Sequence, residues 1–405
     1  MSGYFFSRKR NDYKYEKEGR KYLKDYIISQ RKRLYIKEDK IYYNGKELEF
    51  EGNAMEIAIQ KKIEIYRDFL SRHFDNTIVL TGAGSSYGIG KTEIKGMTMK
   101  KLWEKIVETC GEQSIEKLGK KINYKIDDIS KVNLEEFLSH ASLFLLLYKD
   151  SDIEVKTVVN QIKRIIIENC TIIMPEDSPH KEFLKRITAR KLKHSRLKLF
   201  TTNYDMLFEQ AANECGFTMI DGFSFTFPRV FNGNNYDYDI VIRKNSRITA
   251  QENYASKVFH LYKLHGSLDW KRDTETDQIK KCDFSNNEEP VMIFPSSIKY
   301  ETSYEQPFFE MMSRFQSELR TDNALLIIIG YSFGDKHINS MIFEALELNH
   351  SLQLVIVDPF IENFNDIIKK TERSANIMLI RSDFKELALN YPHSYAYSQD
   401  EMGEE

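Results

Sequence analysis

Four short apolar runs, each ending on small or polar residues, constrain this chain more than any other feature of its sequence. They are TIVLTGAG from Thr77, LKLFTTNYD from Leu197, ALLIIIGYSFGD from Ala324 and LQLVIVDP from Leu352. None alternates apolar with polar residues, so each reads as a strand buried on both faces, the pattern of a parallel sheet covered by helices on either side. The stretches between them carry helical periodicity: 54–73, with Ile57, Ile59, Ile63, Ile65, Phe69 and Leu70; the segment MLFEQAANECG after the second run; 304–320; and the residues through 349. A last strand is predicted near 376–380. The fold class is therefore α/β, a parallel sheet with helices on both faces.

Two segments do not fit that alternation. From about 98 to 195 the periodicity is helical throughout, with NLEEFLSHASLFLLLY (133–148) the most apolar helix, which predicts an all-α insertion. Residues 1–50 carry 14 Lys/Arg against 8 Asp/Glu, a local charge of +6 on a remainder of −8. This arm interleaves its cations with Tyr13, Tyr15, Tyr22, Tyr26, Tyr35, Tyr42 and Tyr43, and reads as a helical stretch followed by a hairpin at Asn44-Gly45. Such an arm suits packing on a neighbouring subunit, or single-stranded nucleic acid. The sequence thus divides into a basic Tyr-rich arm (1–50), an α/β domain made of 51–97 and 196–390, the helical insertion (98–195) and an acidic tail (391–405).

The net charge of −2 gives no global attraction to nucleic acid or to an anionic membrane. There is no signal-peptide h-region and no run of about 18 apolar residues, so a cytoplasmic protein with no membrane contact is expected. Cys110, Cys170, Cys215 and Cys282 stand far apart with no C-x-x-C pair, which predicts reduced thiols and no metal site.

In open α/β sheets ligands collect outside the carboxyl ends of the strands. Four places qualify. Gly82, Ala83, Gly84 and Ser85, followed by Gly88 and Gly90, form a glycine turn whose N–H groups can approach a diphosphate, with Ser85 as an extra donor; the same glycines also suit a tight strand-to-helix turn. The turn is neither a P-loop nor a strict G-x-G-x-x-G, which argues against ATP hydrolysis. Thr202, Asn203 and Asp205 follow the second run, where Asn or Asp alternatively caps the next helix. His265 precedes Gly266 in YKLHGSLDW, and a buried, internally satisfied histidine is its bland reading. Gly330 and Ser332 follow the third run, with Asp335 as a helix cap, and Asp358 ends the fourth.

Taken in order, these four places resemble the sirtuin (silent information regulator) family, whose large domain is an NAD-binding Rossmann-like sheet. The resemblance spans about 76–385. It implies that Gly82, Ala83, Gly84 and Ser85 hold the diphosphate of NAD+, and that Asn203 and Asp205, with Thr202 in place of the usual Gln, hold the nicotinamide ribose. It further implies that His265 is the catalytic histidine, that Gly330 and Ser332 complete the cofactor site, and that Asp358 contacts the adenosine half.

The departures from the family are informative. The two C-x-x-C pairs of zinc-bearing deacylases are missing, the substrate strand reads Phe294-Pro295-Ser296, and the segment after the glycine turn reads Gly88-Ile89-Gly90-Lys91-Thr92-Glu93 without the usual aromatic or Arg. With NLEEFLS, TTNYD, LHGSLDW and GYSFGDKHIN, the chain is similar to zinc-less bacterial sirtuin-like antiphage effectors, in particular the subgroup paired with a HerA-type hexameric ATPase. That resemblance implies an NAD+ glycohydrolase that consumes NAD+ as substrate, needs no metal, forms a homo-oligomer and depletes cellular NAD+. A catalytically quiet nucleotide-binding or assembly module of an ATPase complex, and a protein deacylase or ADP-ribosyl transferase, are the competing readings. Nucleic acid enters only through the arm or the partner.

Overall fold

A computed structural model describes residues 23–148, 152–189, 195–242, 254–287, 289–294 and 306–392. Seven parallel strands form its centre. They are β5 (Asn76–Thr81), β6 (Leu197–Thr201), β7 (Thr218–Ile220), β8 (Val258–Lys263), β11 (Ala324–Ile329), β12 (Gln353–Val357) and β13 (Ile377–Ile380), in the spatial order β13-β12-β11-β5-β6-β8-β7. A separate antiparallel pair is formed by β9 (Trp270–Arg272) and β10 (Ile279–Lys281). The four apolar runs and the strand predicted near 376–380 are β5, β6, β11, β12 and β13, and all six residues of β8 and of β11 are buried. Successive residues feed opposite cores. Leu325, Ile327 and Ile329 point to one face with Val79, Leu199 and Val355, while Leu326 and Ile328 point to the other with Ile78, Leu80 and Ile356.

Each face is covered by helices with a matching apolar stripe. On the first lie α1 (Ala54–Leu70), α6 (Pro179–Ile187), α7 (Leu207–Glu214) and α11 (Phe384–Asn390); on the second lie α8 (Phe308–Leu319), α9 (Lys336–Leu348) and α10 (Asn365–Thr371). Burial of these two stripes is what fixes the three-layer arrangement. A mixed α/β sheet of this kind, with helices on both sides, agrees with the Rossmann-like class expected from the sequence.

The segment between β5 and β6 divides in two. Helices α2 (Met99–Cys110), α3 (Glu112–Lys121), α4 (Leu134–Leu147) and α5 (Ile153–Cys170) build their own core around Trp103, Phe137 and Ile162. From Ile172 the chain returns to the main body, and Phe183, Leu184 and Ile187 of α6 pack beneath the sheet rather than with the insertion. Leu268 and Met292 belong to the insertion's cluster, so the four helices rest on the loops that follow β8.

The basic arm is the main departure from expectation. From Leu23 onward its described residues are strands, not a helix: β1 (Leu23–Ser29), β2 (Arg33–Lys37), β3 (Lys40–Tyr43) and β4 (Lys46–Glu47) form an antiparallel meander. β1 pairs antiparallel with β13, Ile27 facing Ile380, so the meander extends the central sheet to eleven strands among the described residues. The hairpin at Asn44-Gly45 is present, with φ of 51° and 79° as a two-residue turn of the right hand requires. Any helical stretch within 1–22 lies outside the described residues; from Leu23 onward the reason for strands is period two. Leu34, Ile41 and Ile27 are fully buried, while Tyr35 and Tyr42 stack on each other across the strands at 5.0 Å. Residues 1–22, 295–305 and 393–405 lie outside the described residues, and with them Tyr13, Tyr15, Tyr22, Pro295, Ser296 and most of the acidic tail.

Both sheet edges are short. β4 has two residues, Lys46 and Glu47, and β7 has three. No described helix is long and apolar enough to cross a membrane.

Candidate functional site

The chain runs from β5 to β6 on one side, then crosses back from β8 to enter β11 on the other side of β5. The carboxyl ends of β5 and β11 therefore flank the topological switch point, where a doubly wound sheet opens a crevice. The glycine turn and Gly330 meet there. The Gly82 N–H donates to Ile329 O at 3.0 Å, and the Gly84 N–H to Gly330 O at 2.9 Å. A Cβ on Gly84 would lie 2.5 Å from Gly330 Cα, and one on Gly330, whose φ is +56°, would lie 2.4 Å from Gly84 Cα. The two loops are thus in backbone contact, and glycine is required at both positions by that approach.

Ser85 does not project as the extra donor expected from the sequence. It is fully buried, and its Oγ donates to Gly82 O at 2.9 Å, because the short 3₁₀ turn Ala83–Ser85 folds the hydroxyl inward. The next residue, Ser86, is the one that links the loops. Its Oγ donates to Asp205 Oδ2 at 2.7 Å and accepts from Asn203 Nδ2 at 2.9 Å. The same Asn203 amide reaches Gly82 O at 3.0 Å and Ser85 Oγ at 3.1 Å. A contact to a carbonyl fixes this end of the amide as nitrogen, which leaves Oδ1 outside these bonds. Asp205 is 8% exposed and uses Oδ1 to accept the Leu207 N–H, the first of α7, at 3.1 Å; Met206 stands at the N-cap position itself, so Asp205 steadies the helix start from one residue further back while it holds Ser86. Thr202, just ahead of Asn203, donates from its N–H, at 3.0 Å, to Thr81 O.

His265 follows β8 and is 7% exposed. Its Nε2 lies 3.1 Å from Asp335 Oδ2, and the other carboxylate oxygen of Asp335 caps α9 by accepting from His337 N at 2.9 Å and Ile338 N at 3.2 Å. β8 and β11 are separated by β6 and β5, about 14 Å at the usual strand spacing. The His265–Asp335 pair therefore spans the ends of both intervening strands, above the Gly82–Ser86 turn and the Asn203 loop. Gly266 makes this possible: with φ at +86°, it lets the chain turn against Val291 O, where a Cβ would sit at 2.2 Å, and Ile293 N then donates to His265 O at 2.8 Å.

The 330–335 loop is braced internally. Phe333 takes φ +57°, held by Asn339 Nδ2 donating to its carbonyl at 2.7 Å, and Tyr331 OH reaches Asn339 Oδ1 at 3.1 Å. Ser332 is exposed at the loop's tip. Asp358 stands at the end of β12, next to β11. It accepts the Phe360 N–H at 2.8 Å, and burial pushes its carboxyl above the usual range against that bond. Tyr204 donates from its hydroxyl to Ile293 O at 2.6 Å, and burial raises its phenol far above the ordinary value.

The sequence reading brought Asn203, Asp205, His265 and Gly330 to one edge of the sheet, and the fold places them there together. Ser86 and Asp335 it missed as site residues. Asp335 caps α9, as its place ahead of that helix predicts; its bond to His265 spans 70 positions and emerges only once β8 and β11 are placed in one sheet. The four cysteines lie on separate elements as free thiols, each raised by burial, Cys170 to about 12. Among the described residues no cluster of three or more His, Cys, Asp or Glu side chains is placed to hold a metal ion.

Residues 197–380 match the family model of the SIR2-like domain. The match begins at β6, just after the helical segment, and the structure supplies β5 and its glycine turn alongside it from the chain ahead of that segment. A SIR2-like domain implies the use of NAD+. A search of curated proteins finds no match.

Proposed function

We propose that this chain, with its SIR2-like domain, is an NAD+ glycohydrolase that releases nicotinamide and ADP-ribose. The observation that carries the reading is the convergence, over the switch point, of the Asn203–Ser86–Asp205 group with the His265–Asp335 pair. Cleavage of an N-glycosidic bond passes through an oxocarbenium-like ribose, so a site for it must position the sugar, tolerate positive charge at C1′ and deliver water. In this reading nicotinamide leaves with the bonding electron pair as a neutral ring, a water oxygen bonds to C1′, and the water's proton passes to His265 and then to solvent. Asp335 holds the imidazole and offsets the charge it gains.

The bonds that Asn203 makes through Nδ2 orient its Oδ1 end for the ribose or the attacking water. Asp205 and Ser86 keep that amide from rotating. The backbone of the Gly82–Gly84 turn is the part of the site that accepts a diphosphate, since its glycines leave no Cβ between main chain and ligand. Ser332 and Asp358, further along the same edge, are assigned to the adenosine half.

The biological role we propose is antiphage defence by NAD+ depletion, in a homo-oligomer that works with a HerA-type hexameric ATPase. It is supported by the sequence motifs TTNYD, LHGSLDW and GYSFGDKHIN. Incubation with NAD+, with and without a HerA-type ATPase, followed by chromatography, tests the activity. Nicotinamide and ADP-ribose without an acyl acceptor are expected. Asn203→Ala and His265→Ala should each lower turnover at least ~10²-fold, and Ser86→Ala about 10-fold. Intact NAD+ under every condition, including in infected cells, would sink the reading.

A further inference from the structure

Lys263, the last residue of β8, is a buried ammonium at 3% exposure, and its Nζ is spent on three oxygens. It donates to Tyr204 O at 3.2 Å, to Asp205 O, and to Glu209 Oε1 at 3.0 Å. Glu209 is itself a nearly buried carboxylate, on the first turn of α7. An ammonium has three donors, so this one is fully satisfied, and two of the three bonds fall on the main chain of the loop that carries Asn203. Burying such a charge costs stability relative to a packed apolar side chain, so stability alone does not explain its presence.

The bonds of the neighbouring main chain point the same way. Leu264 N donates to Thr201 O at 2.9 Å, and Leu268 N to Tyr204 O at 3.2 Å. The segment 263–268, which contains His265, thus grips the 201–205 loop at Thr201 and Tyr204 through its main chain, and Lys263 adds its side-chain bonds at Tyr204 and Asp205. Behind it the ionic chain continues. Lys281 Nζ lies 2.8 Å from Asp269 Oδ2 and 2.8 Å from Asp221 Oδ2, and Arg229 completes the series at Asp221 Oδ1, 2.7 Å away. These charges alternate in sign, and Asp221, Asp269 and Lys263 are all buried.

We propose that Lys263, neutralised by Glu209, is a positioning residue that ties the main chain of the Asn203–Asp205 loop to the end of β8, two residues ahead of His265, so that the two candidate catalytic side chains keep a fixed separation. The turnover readout rests on the glycohydrolase reading; the geometric claim does not.

The test uses the full chain with K263M/E209Q, which removes both charges together and leaves no unpaired buried ion. Amide hydrogen exchange should accelerate at least ~10-fold at residues 203–207 and at Leu268, while β11 keeps its protection. In parallel, turnover of NAD+ should fall about 10²-fold, with NAD+ binding changed by no more than about 3-fold. Unchanged exchange at 203–207 would overturn the proposal, as would equal acceleration in β11, which would mean a role in global stability only. Should the double variant fail to fold, E209Q, which keeps an acceptor beside Lys263, is expected to speed exchange at 204–207 about 3-fold, and no change there overturns it equally. A wild type that cleaves no NAD+ would dismiss the glycohydrolase reading while the exchange data still decide the anchor.

Discussion

Glycine at positions 84 and 330 is fixed by the approach of two backbones, because each residue stands where the other's Cβ would go. Gly84→Ala and Gly330→Ala should therefore each cost about 2–4 kcal/mol, measured by urea unfolding, as the turn after β5 and the loop after β11 are forced apart. Gly88 provides the contrast. It has φ +74° but open space around it, so Gly88→Ala should cost only about 1 kcal/mol. Equal losses at all three positions would show that conformation, not contact, dictates glycine here. At this scale the sequence was informative wherever a residue ends a buried strand: Asn203, Asp205, His265 and Gly330 were all found that way. It was silent on Ser86 and Asp335, because their partners are 119 and 70 positions distant, and a hydroxyl or a capping carboxylate has no local signature of a remote bond.

Among the elements, β5, β6, β11, β12 and β13 were legible because short unbroken runs of Ile, Leu and Val suit strands buried on both faces of a sheet. The β1–β4 meander was not, since lysines, tyrosines and glutamates interrupt it and its period-two pattern is short, carried by Leu34 with Ile36 and by Ile41 with Tyr43. Its incorporation changes what truncation should do. Removing residues 1–50 strips the antiparallel partner from β13 and exposes Ile27's neighbour Ile380 together with the surface under Tyr26 and Leu34. The truncated chain is expected to lose its sharp cooperative thermal transition or to precipitate, whereas a detachable arm would leave the transition of the core intact. Circular dichroism melts of the two forms distinguish these outcomes. The split within the helical segment was also hidden, as amphipathic helices look alike whether they face a private core or the sheet: α5 serves the former and α6 the latter.

Over the whole molecule, two buried histidines make folding depend on pH. His180 sits between Phe208 and Phe384 with Nδ1 3.0 Å from Ser178 Oγ, and burial lowers its ring to about 3; His260, beside Tyr262, is lowered by burial to about 4. A folded value below the unfolded one, near 6.5, means that the unfolded chain takes up the proton first. The stability these rings contribute is thus complete above about pH 6.5 and is lost as pH falls toward 4 and 3. Between pH 7 and 5 the loss should be about 2 kcal/mol for each ring, read from urea midpoints, and His180→Gln should remove about half of it. A flat profile over that range would mean that both rings reach solvent. The ends of the sheet carry a different consequence. A strand edge grows by templating further strands, and growth needs several consecutive open N–H and C=O groups on a neutral, flat register. Here one border stops after Lys46 and Glu47 and the other after three residues. Among the described residues neither border of the central sheet offers a run long enough to nucleate a foreign strand, so copies of this chain are not expected to join by continuing the sheet at β4 or β7.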